Sequence, residues 1–132
     1  MPGDDFPVPV SGVPLTKART YQLHIRLGSS QDIVIGRLGR FTFEKGHYLY
    51  TGSAMRNMRA RLLRHLSGNK TLHWHIDYLL AAETAVITGI SLASESECVL
   101  NQSIKVSIPV PGFGASDCRA GCGAHLKYLG QL

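Results

Sequence analysis

Two tyrosines, an arginine and a histidine have the spacing expected of a site that handles phosphate groups. Tyr50 lies in a tyrosine-rich segment, which a Thr-Gly-Ser turn joins to a basic segment containing Arg61 and His65. At about 100° per residue, these two side chains lie next to each other on one flank of a helix. Because a guanidinium group has the planar fork of donors that suits a phosphate, the pattern indicates phosphate chemistry.

Cleavage of a phosphodiester needs an aligned nucleophile, positive charge on the phosphate oxygens, and a metal or acid at the leaving oxygen. Tyr21 and Tyr50, on neighbouring predicted strands, could orient or deprotonate the nucleophile. An unperturbed tyrosine has a pKa of about 10, so such a role requires a nearby cation, which Arg61 supplies. Glu97 is the carboxylate best placed to bind a divalent metal. The alternatives are core tyrosines and an acid at a helix N-terminus.

Positive charge is concentrated in the middle of the chain. Residues 37 to 70 hold eight lysines and arginines against the single acid Glu44, a balance of +7, whereas six basic and eight acidic residues elsewhere give −2. Such a surface gains affinity for a polyanion by releasing counterions, so we expect a nucleic-acid partner. A solvated helix face is the alternative. The basic side chains predicted to bind nucleic acid are Arg56, Arg59, Arg64 and Lys70.

Length and composition predict one domain in the cytoplasm. A chain of 132 residues with 44% apolar content can bury one core. No segment approaches the roughly 20 apolar residues of a membrane span, and Asp4 and Asp5 stand where a signal peptide would be basic. Three cysteines cannot all pair within the chain, which favours reduced thiols or metal ligands.

Hydropathy patterns predict the order of the elements. Four prolines predict a flexible N-terminal arm over residues 1–16, followed by a domain over residues 17–132. An apolar stripe predicts a helix over 54–66, with Ser53 as its N-cap. Further helices are expected near 72–82 and 95–104, strands at 20–27, 32–38, 46–51, 85–92 and 125–129, a connection at 39–45 and a glycine-rich loop at 109–123. The first three strands are expected to form an antiparallel meander.

In this order the residues resemble the GIY-YIG nuclease superfamily. Residues 20–22 (TYQ) stand where that family has its first Gly-Ile-Tyr, and residues 50–52 (YTG) where it has Tyr-Ile-Gly. Arg61 and His65 match the family's helix arginine and the histidine one turn later, and Glu97 matches its metal-binding glutamate. The segments GSA…ARLLRH, HWHIDYL and GFGASDC are similar to a prokaryotic branch of the superfamily.

The resemblance covers most of residues 20 to 130 and implies a fold and an activity. The implied fold is a small α/β domain of the α+β type, with a central three-stranded antiparallel sheet flanked by helices. The implied activity is hydrolysis of DNA phosphodiesters with bound Mg²⁺ or Mn²⁺. Tyr21 and Tyr50 are further apart than the roughly ten residues typical of the superfamily hairpin, which implies an inserted strand or loop.

Two alternatives remain open at this stage. Cys118, Cys122 and His125 have a C-x3-C-x2-H spacing within the range for zinc, with Cys98 as a candidate fourth ligand, and buried free thiols are the other interpretation. For function, the expectation is a metal-dependent endonuclease acting on DNA rather than RNA. The alternative is a non-catalytic nucleic-acid-binding module on the same fold.

Overall fold

The computed structural model of the chain describes residues 6–54, 56–67, 72, 74–95 and 125–131. These residues form a small α+β domain, which confirms the predicted class. The strands are β1 (Val10–Gly12), β2 (Thr20–Leu27), β3 (Gln31–Ile35), β4 (Gly39–Phe43), β5 (Gly46–Ser53), β6 (Ala85–Ala93) and β7 (Leu126–Gly130). The α-helices are α1 (Met58–Leu66) and α2 (His75–Leu80).

The main sheet has five strands in the order β1-β6-β2-β5-β7. Its centre contains three antiparallel strands, because β2 pairs with both β5 and β6 in antiparallel register. The sheet is wider than the expected three strands, since β7 adds to β5 in antiparallel register and β1 adds to β6 in parallel register. The sheet is therefore mixed, with its antiparallel core as predicted.

Part of the segment predicted as an N-terminal arm packs onto this sheet. Residues 10–12 pair with residues 90–92, and the Ile90 N–H donates to the Pro9 carbonyl at 2.9 Å. Proline is compatible with an edge position because its missing donor is not needed there. Phe6 is buried and belongs to the hydrophobic core. The proline-rich composition, which predicted an arm, here accompanies an edge strand.

The insertion expected between the two tyrosine motifs is the β3–β4 hairpin. Residues 39–45 were predicted as a connection, but residues 39–43 form β4 and pair with β3 in a separate two-stranded sheet. The predicted meander is therefore wrong, because β2 pairs with β5 directly rather than with β3. Ile35 and Phe43, at the ends of the paired strands, are fully buried and hold the hairpin on the domain.

The helix that carries the basic residues starts later than predicted. Ser53 is the last residue of β5, where it pairs with Thr20, so it cannot act as the N-cap. Asn57 takes that position in a left-handed conformation with φ of 56°. The predicted second helix and the strands at 85–92 and 125–129 are confirmed, each with shifted ends. The third helix and the glycine-rich loop lie outside the described residues, apart from the helix's first position, Glu95, which is not helical.

Alternation along β2 defines the two faces of the sheet. Tyr21, Leu23, Ile25 and Leu27 point to one face, and all four are buried. In register, Tyr21 lies opposite Gly52, and Tyr50 lies two positions along β5 on the same face. This face therefore positions both tyrosines toward the helix that carries His65. Among the described residues, no helix is long and apolar enough to cross a membrane.

Candidate functional site

Three of the predicted site residues meet above one face of the sheet. The Tyr21 hydroxyl lies 2.6 Å from His65 Nε2. The ring centroids of Tyr21 and Tyr50 are 6.4 Å apart, and the His65 ring lies 5.3 Å from the first and 6.3 Å from the second. Tyr21 and His65 are almost fully buried, at 1% and 2% exposure, and Tyr50 is 8% exposed. The sequence therefore identified a group of side chains that is compact in three dimensions.

The contact between Tyr21 and His65 is able to transfer a proton. In one tautomer the phenol O–H donates to an unprotonated Nε2, and in the other the Nε2–H donates to the phenol oxygen. A neutral imidazole that accepts from the phenol increases the negative character of the phenol oxygen. The pair can thus accept a proton from a nucleophile that reaches the hydroxyl.

Gly52 gives the Tyr21 phenol the space that it occupies. A Cβ atom at Gly52 would lie 2.5 Å from the Tyr21 hydroxyl oxygen and 2.6 Å from Cζ, which is far inside normal contact distance. The two residues are direct cross-strand partners, so the ring lies across the glycine backbone. The glycine of the second motif therefore has a steric role in placing the tyrosine of the first.

Arg61 lies beside this cluster, between the end of β5 and the start of α2. Its Nη1 donates to the Ser53 carbonyl at 3.0 Å, and its guanidinium carbon lies 4.4 Å from the centroid of the Trp74 ring. Arg61 is half-buried. Because a guanidinium group has five N–H donors, Arg61 can bind a phosphate oxygen while it keeps the contact with Ser53.

Arg64 forms an ion pair with Asp77. It was expected to bind nucleic acid, but its Nη1 and Nη2 donate to the two carboxylate oxygens of Asp77 at 2.9 and 3.0 Å. Asp77 is fully buried and also accepts a hydrogen bond from the Trp74 backbone N–H at 2.8 Å. The charge of Arg64 therefore compensates a buried carboxylate inside the protein.

Trp74 contacts both arginines. Its ring centroid lies 4.4 Å from the guanidinium carbon of Arg61 and 4.3 Å from that of Arg64. The ring also lies 5.9 Å from His65. Contacts of a guanidinium group with the face of an indole are favourable, and they restrict the orientation of both groups. The HWHIDYL segment thus contributes to the position of Arg61.

The other basic residues around the site differ in exposure. Arg56 is exposed, whereas Arg59 is half-buried with its guanidinium carbon 5.3 Å from the Phe6 ring centroid. Lys70 lies outside the described residues. Sequence reasoning missed Arg19, which is exposed and whose carbonyl accepts the Ala54 N–H at 3.1 Å, beside the end of β5. Its position two residues before the first tyrosine is the signal that could have identified it.

The predicted metal ligands lie largely outside the described residues. Glu97, Cys118, Cys122 and Cys98 belong to residues 96–124, so neither metal site is tested. His125 is described and buried, and its carbonyl accepts the Thr51 N–H at 3.0 Å. Within the described ranges, no group of three or more His, Cys, Asp or Glu side chains is arranged to hold a metal.

Glu95, the last described residue before Glu97, contacts the end of β2 that carries Tyr21. The Thr20 hydroxyl donates to the carbonyl of Glu95, two residues before Glu97. Thr20 is fully buried and Glu95 is exposed, so this contact lies at the boundary between the interior and the surface. The backbone that leads to the predicted metal ligand is therefore attached next to the first tyrosine of the cluster.

Burial shifts the pKa values of several groups outside the cluster. Desolvation lowers the pKa values of His24 and His75 below 6.5, so both imidazoles remain neutral to lower pH than usual. Burial also raises the pKa of Tyr48 well above the usual range, with a smaller contribution from Tyr128 nearby. Tyr48 therefore remains a neutral phenol, and its hydroxyl donates to the Glu44 carbonyl.

Comparison with known proteins gives one family. Searches of curated proteins and of solved structures find no match for the chain. The sequence profile of a family described as a domain of unknown function, DUF123, matches residues 20–132. The matched range contains the tyrosine cluster, both helices and every strand except β1. The match covers most of the length of this chain, and the chain therefore belongs to the DUF123 family.

Proposed function

We propose that this protein is a metal-dependent endonuclease that hydrolyses phosphodiester bonds in nucleic acid, with DNA preferred to RNA. We further propose that it is a branch of the GIY-YIG superfamily and acts in the cytoplasm. The observation that carries the proposal is the hydrogen bond of 2.6 Å between the Tyr21 hydroxyl and His65 Nε2, with Tyr50 alongside. A phenol paired with an imidazole beside an arginine is a reasonable arrangement for activating water near a phosphate.

Each side chain has a defined role in the proposed reaction. A water molecule attacks the phosphorus and gives its proton to the pair formed by Tyr21 and His65, with Tyr50 orienting the water. The bond from phosphorus to the leaving oxygen breaks, and that oxygen takes a proton from solvent. Arg61 donates to the phosphate oxygens as negative charge develops on them. Because Tyr21 is 1% exposed, binding of the substrate must uncover its hydroxyl.

Glu97 is the residue that would hold Mg²⁺ or Mn²⁺. Magnesium is commonly bound by one or two carboxylates together with water and substrate oxygens, so a single glutamate suits it. Glu97 follows Glu95 by two residues in the sequence. The carbonyl of Glu95 accepts from Thr20, next to Tyr21. When bound, the ion would polarise the phosphate and lower the pKa of a coordinated water.

Cleavage assays on matched variants test the proposal. Purified protein is incubated with supercoiled, branched and single-stranded DNA in Mg²⁺, Mn²⁺ or EDTA. We expect nicking that requires metal and that is lost in Glu97→Ala and in Arg61→Ala. Glu83→Ala is the control, since it removes an exposed carboxylate from the connection between α2 and β6, outside the cluster. Wild-type rates in both site variants, with circular dichroism showing folded protein, would contradict the proposal.

A second candidate function is a nucleic-acid-binding module without catalysis. It is favoured by the near-complete burial of Tyr21 and His65, in contrast to the exposure of Arg19 and Arg56. Such a module would bind DNA with a strong salt dependence, would not respond to divalent metal, and would keep its affinity in Glu97→Ala. The binding and cleavage assays together separate the two functions.

A further inference from the structure

The β3–β4 hairpin carries an exposed basic tip that the candidate site does not use. Arg37 lies in the short 3₁₀ turn Gly36–Leu38, and Arg40 follows at the start of β4. Both arginines are exposed. Within the part of the chain that the structure describes, neither side chain forms an ion pair or a hydrogen bond. Two positive charges are therefore presented to solvent without compensation.

The backbone of the tip depends on two glycines. Gly36 has a φ of +47° and Gly39 a φ of +123°, which are values that other residues rarely adopt. These conformations turn the chain tightly. The first residue pair of the hairpin, Ile35 with Gly39, therefore lies directly beside the turn. The tip is thus a defined turn that carries Arg37 and is followed by Arg40 in β4.

The hairpin is fixed against the helix that contributes to the candidate site. The Cβ position of Gly36 lies 3.2 Å from the Tyr78 hydroxyl oxygen, and β3 contacts α2. Tyr78 lies four residues after Trp74, about one turn of roughly 5.4 Å along the helix. Because α2 contacts the hairpin and begins next to Trp74, the tip has a fixed position relative to Arg61, which contacts the Trp74 ring.

We propose that Arg37 and Arg40 form a second contact with the phosphate backbone of the nucleic-acid substrate, separate from the contact at Arg61. This inference rests on the proposed function only for the identity of the ligand, and it does not require cleavage. The ligand is assigned as nucleic acid because the tip belongs to the segment with a local charge of +7. Exposed arginines on a rigid turn suit phosphate oxygens, which fix register without reading sequence.

Binding as a function of salt tests the inference. The affinity of a fluorescent DNA duplex is measured by anisotropy in EDTA over a series of KCl concentrations, for wild type and for Arg37→Gln/Arg40→Gln. The control is Lys17→Gln/Arg26→Gln, which removes the same charge from two exposed positions outside the hairpin tip and the helix that carries Arg61. Circular dichroism and thermal unfolding verify that each variant is folded.

Each phosphate contact contributes about −0.9 to the slope of log K against log salt for a duplex. Loss of two contacts should therefore make the slope shallower by about 1.8, equivalent to about 60-fold weaker binding at 0.1 M salt. The control should keep the wild-type slope. Equal slopes in the tip variant and the control would overturn the inference while leaving the proposed function intact. Wild-type protein that binds no duplex at any salt concentration would overturn the nucleic-acid partner and the inference together.

Discussion

Replacement of Gly52 by alanine tests whether the backbone of β5 positions the Tyr21 phenol. The added methyl group would lie 2.5 Å from the Tyr21 hydroxyl oxygen and 2.6 Å from Cζ. Carbon atoms in contact prefer separations of about 3.5–4.0 Å, so the phenol must move by about 1 Å. A shift of that size takes the hydroxyl out of good hydrogen-bond geometry with His65, from its present 2.6 Å.

The expected loss of stability follows from these distances. Overpacking of a core costs about 1–3 kcal/mol, and loss of a buried hydrogen bond costs about 0.5–1.5 kcal/mol. The entropy that alanine removes from the unfolded chain returns about 0.4–1 kcal/mol. Gly52→Ala should therefore lower the free energy of unfolding by about 0.5–4 kcal/mol and should also abolish any nuclease activity.

Gly89→Ala is the matched control for this experiment. Gly89 is also a strand glycine of the same sheet, but the nearest atom to its Cβ position is the Pro9 carbonyl oxygen at an ordinary 3.6 Å. We expect the control to be neutral or more stable by up to about 1 kcal/mol. Urea unfolding of both variants gives the comparison. Equal stability of Gly52→Ala and Gly89→Ala would refute the steric argument, because it would mean that Tyr21 does not need this space.

Three further predictions concern the surroundings of the site. Arg64→Ala leaves the Asp77 carboxylate buried without its cation, so the free energy of unfolding measured in urea should fall by about 3–5 kcal/mol. A decrease of less than about 1 kcal/mol would contradict this, because it is the value of an exposed surface ion pair. Burial lowers the pKa of His24 below 6.5, so just below pH 6.5 the unfolded chain binds a proton at this residue and the folded chain does not. The free energy of unfolding should therefore be highest above pH 6.5 and should fall as the pH drops below it. His24→Gln should flatten this part of the profile of unfolding free energy against pH. Trp74 is the only tryptophan, so its fluorescence should change when DNA draws Arg61 away from the ring; a titration with no change in wild type, or with the same change in Arg61→Ala, would contradict that contact.

Local patterns predicted those parts of the fold that depend on periodicity. The alternation in residues 20–27 places Tyr21 on the buried face, and the helical spacing of Arg61 and His65 places both near the cluster. Pairing of strands could not be predicted in the same way. Residues 39–43 contain two phenylalanines at alternate positions, but only the contact with β3 makes the segment a strand.

The role of Arg64 shows why site residues are harder to predict than elements. From the sequence, Arg64 and Arg56 are equivalent basic residues of one helix, and both were expected to face nucleic acid. In the folded chain Arg64 is paired with Asp77, thirteen residues later, and only Arg56 is exposed. A charge count cannot distinguish a cation that is compensated inside the protein from one that is free to bind phosphate.

The most direct test of the central claim removes a single oxygen atom from the cluster. Nicking of supercoiled DNA in Mg²⁺ is compared for wild type, Tyr21→Phe and Tyr78→Phe. Both variants lose only a phenol oxygen, but the Tyr78 hydroxyl has no hydrogen bond within the described residues, whereas that of Tyr21 contacts His65. We predict metal-dependent nicking in wild type and Tyr78→Phe and none in folded Tyr21→Phe. Nicking by Tyr21→Phe at the wild-type rate would contradict the account.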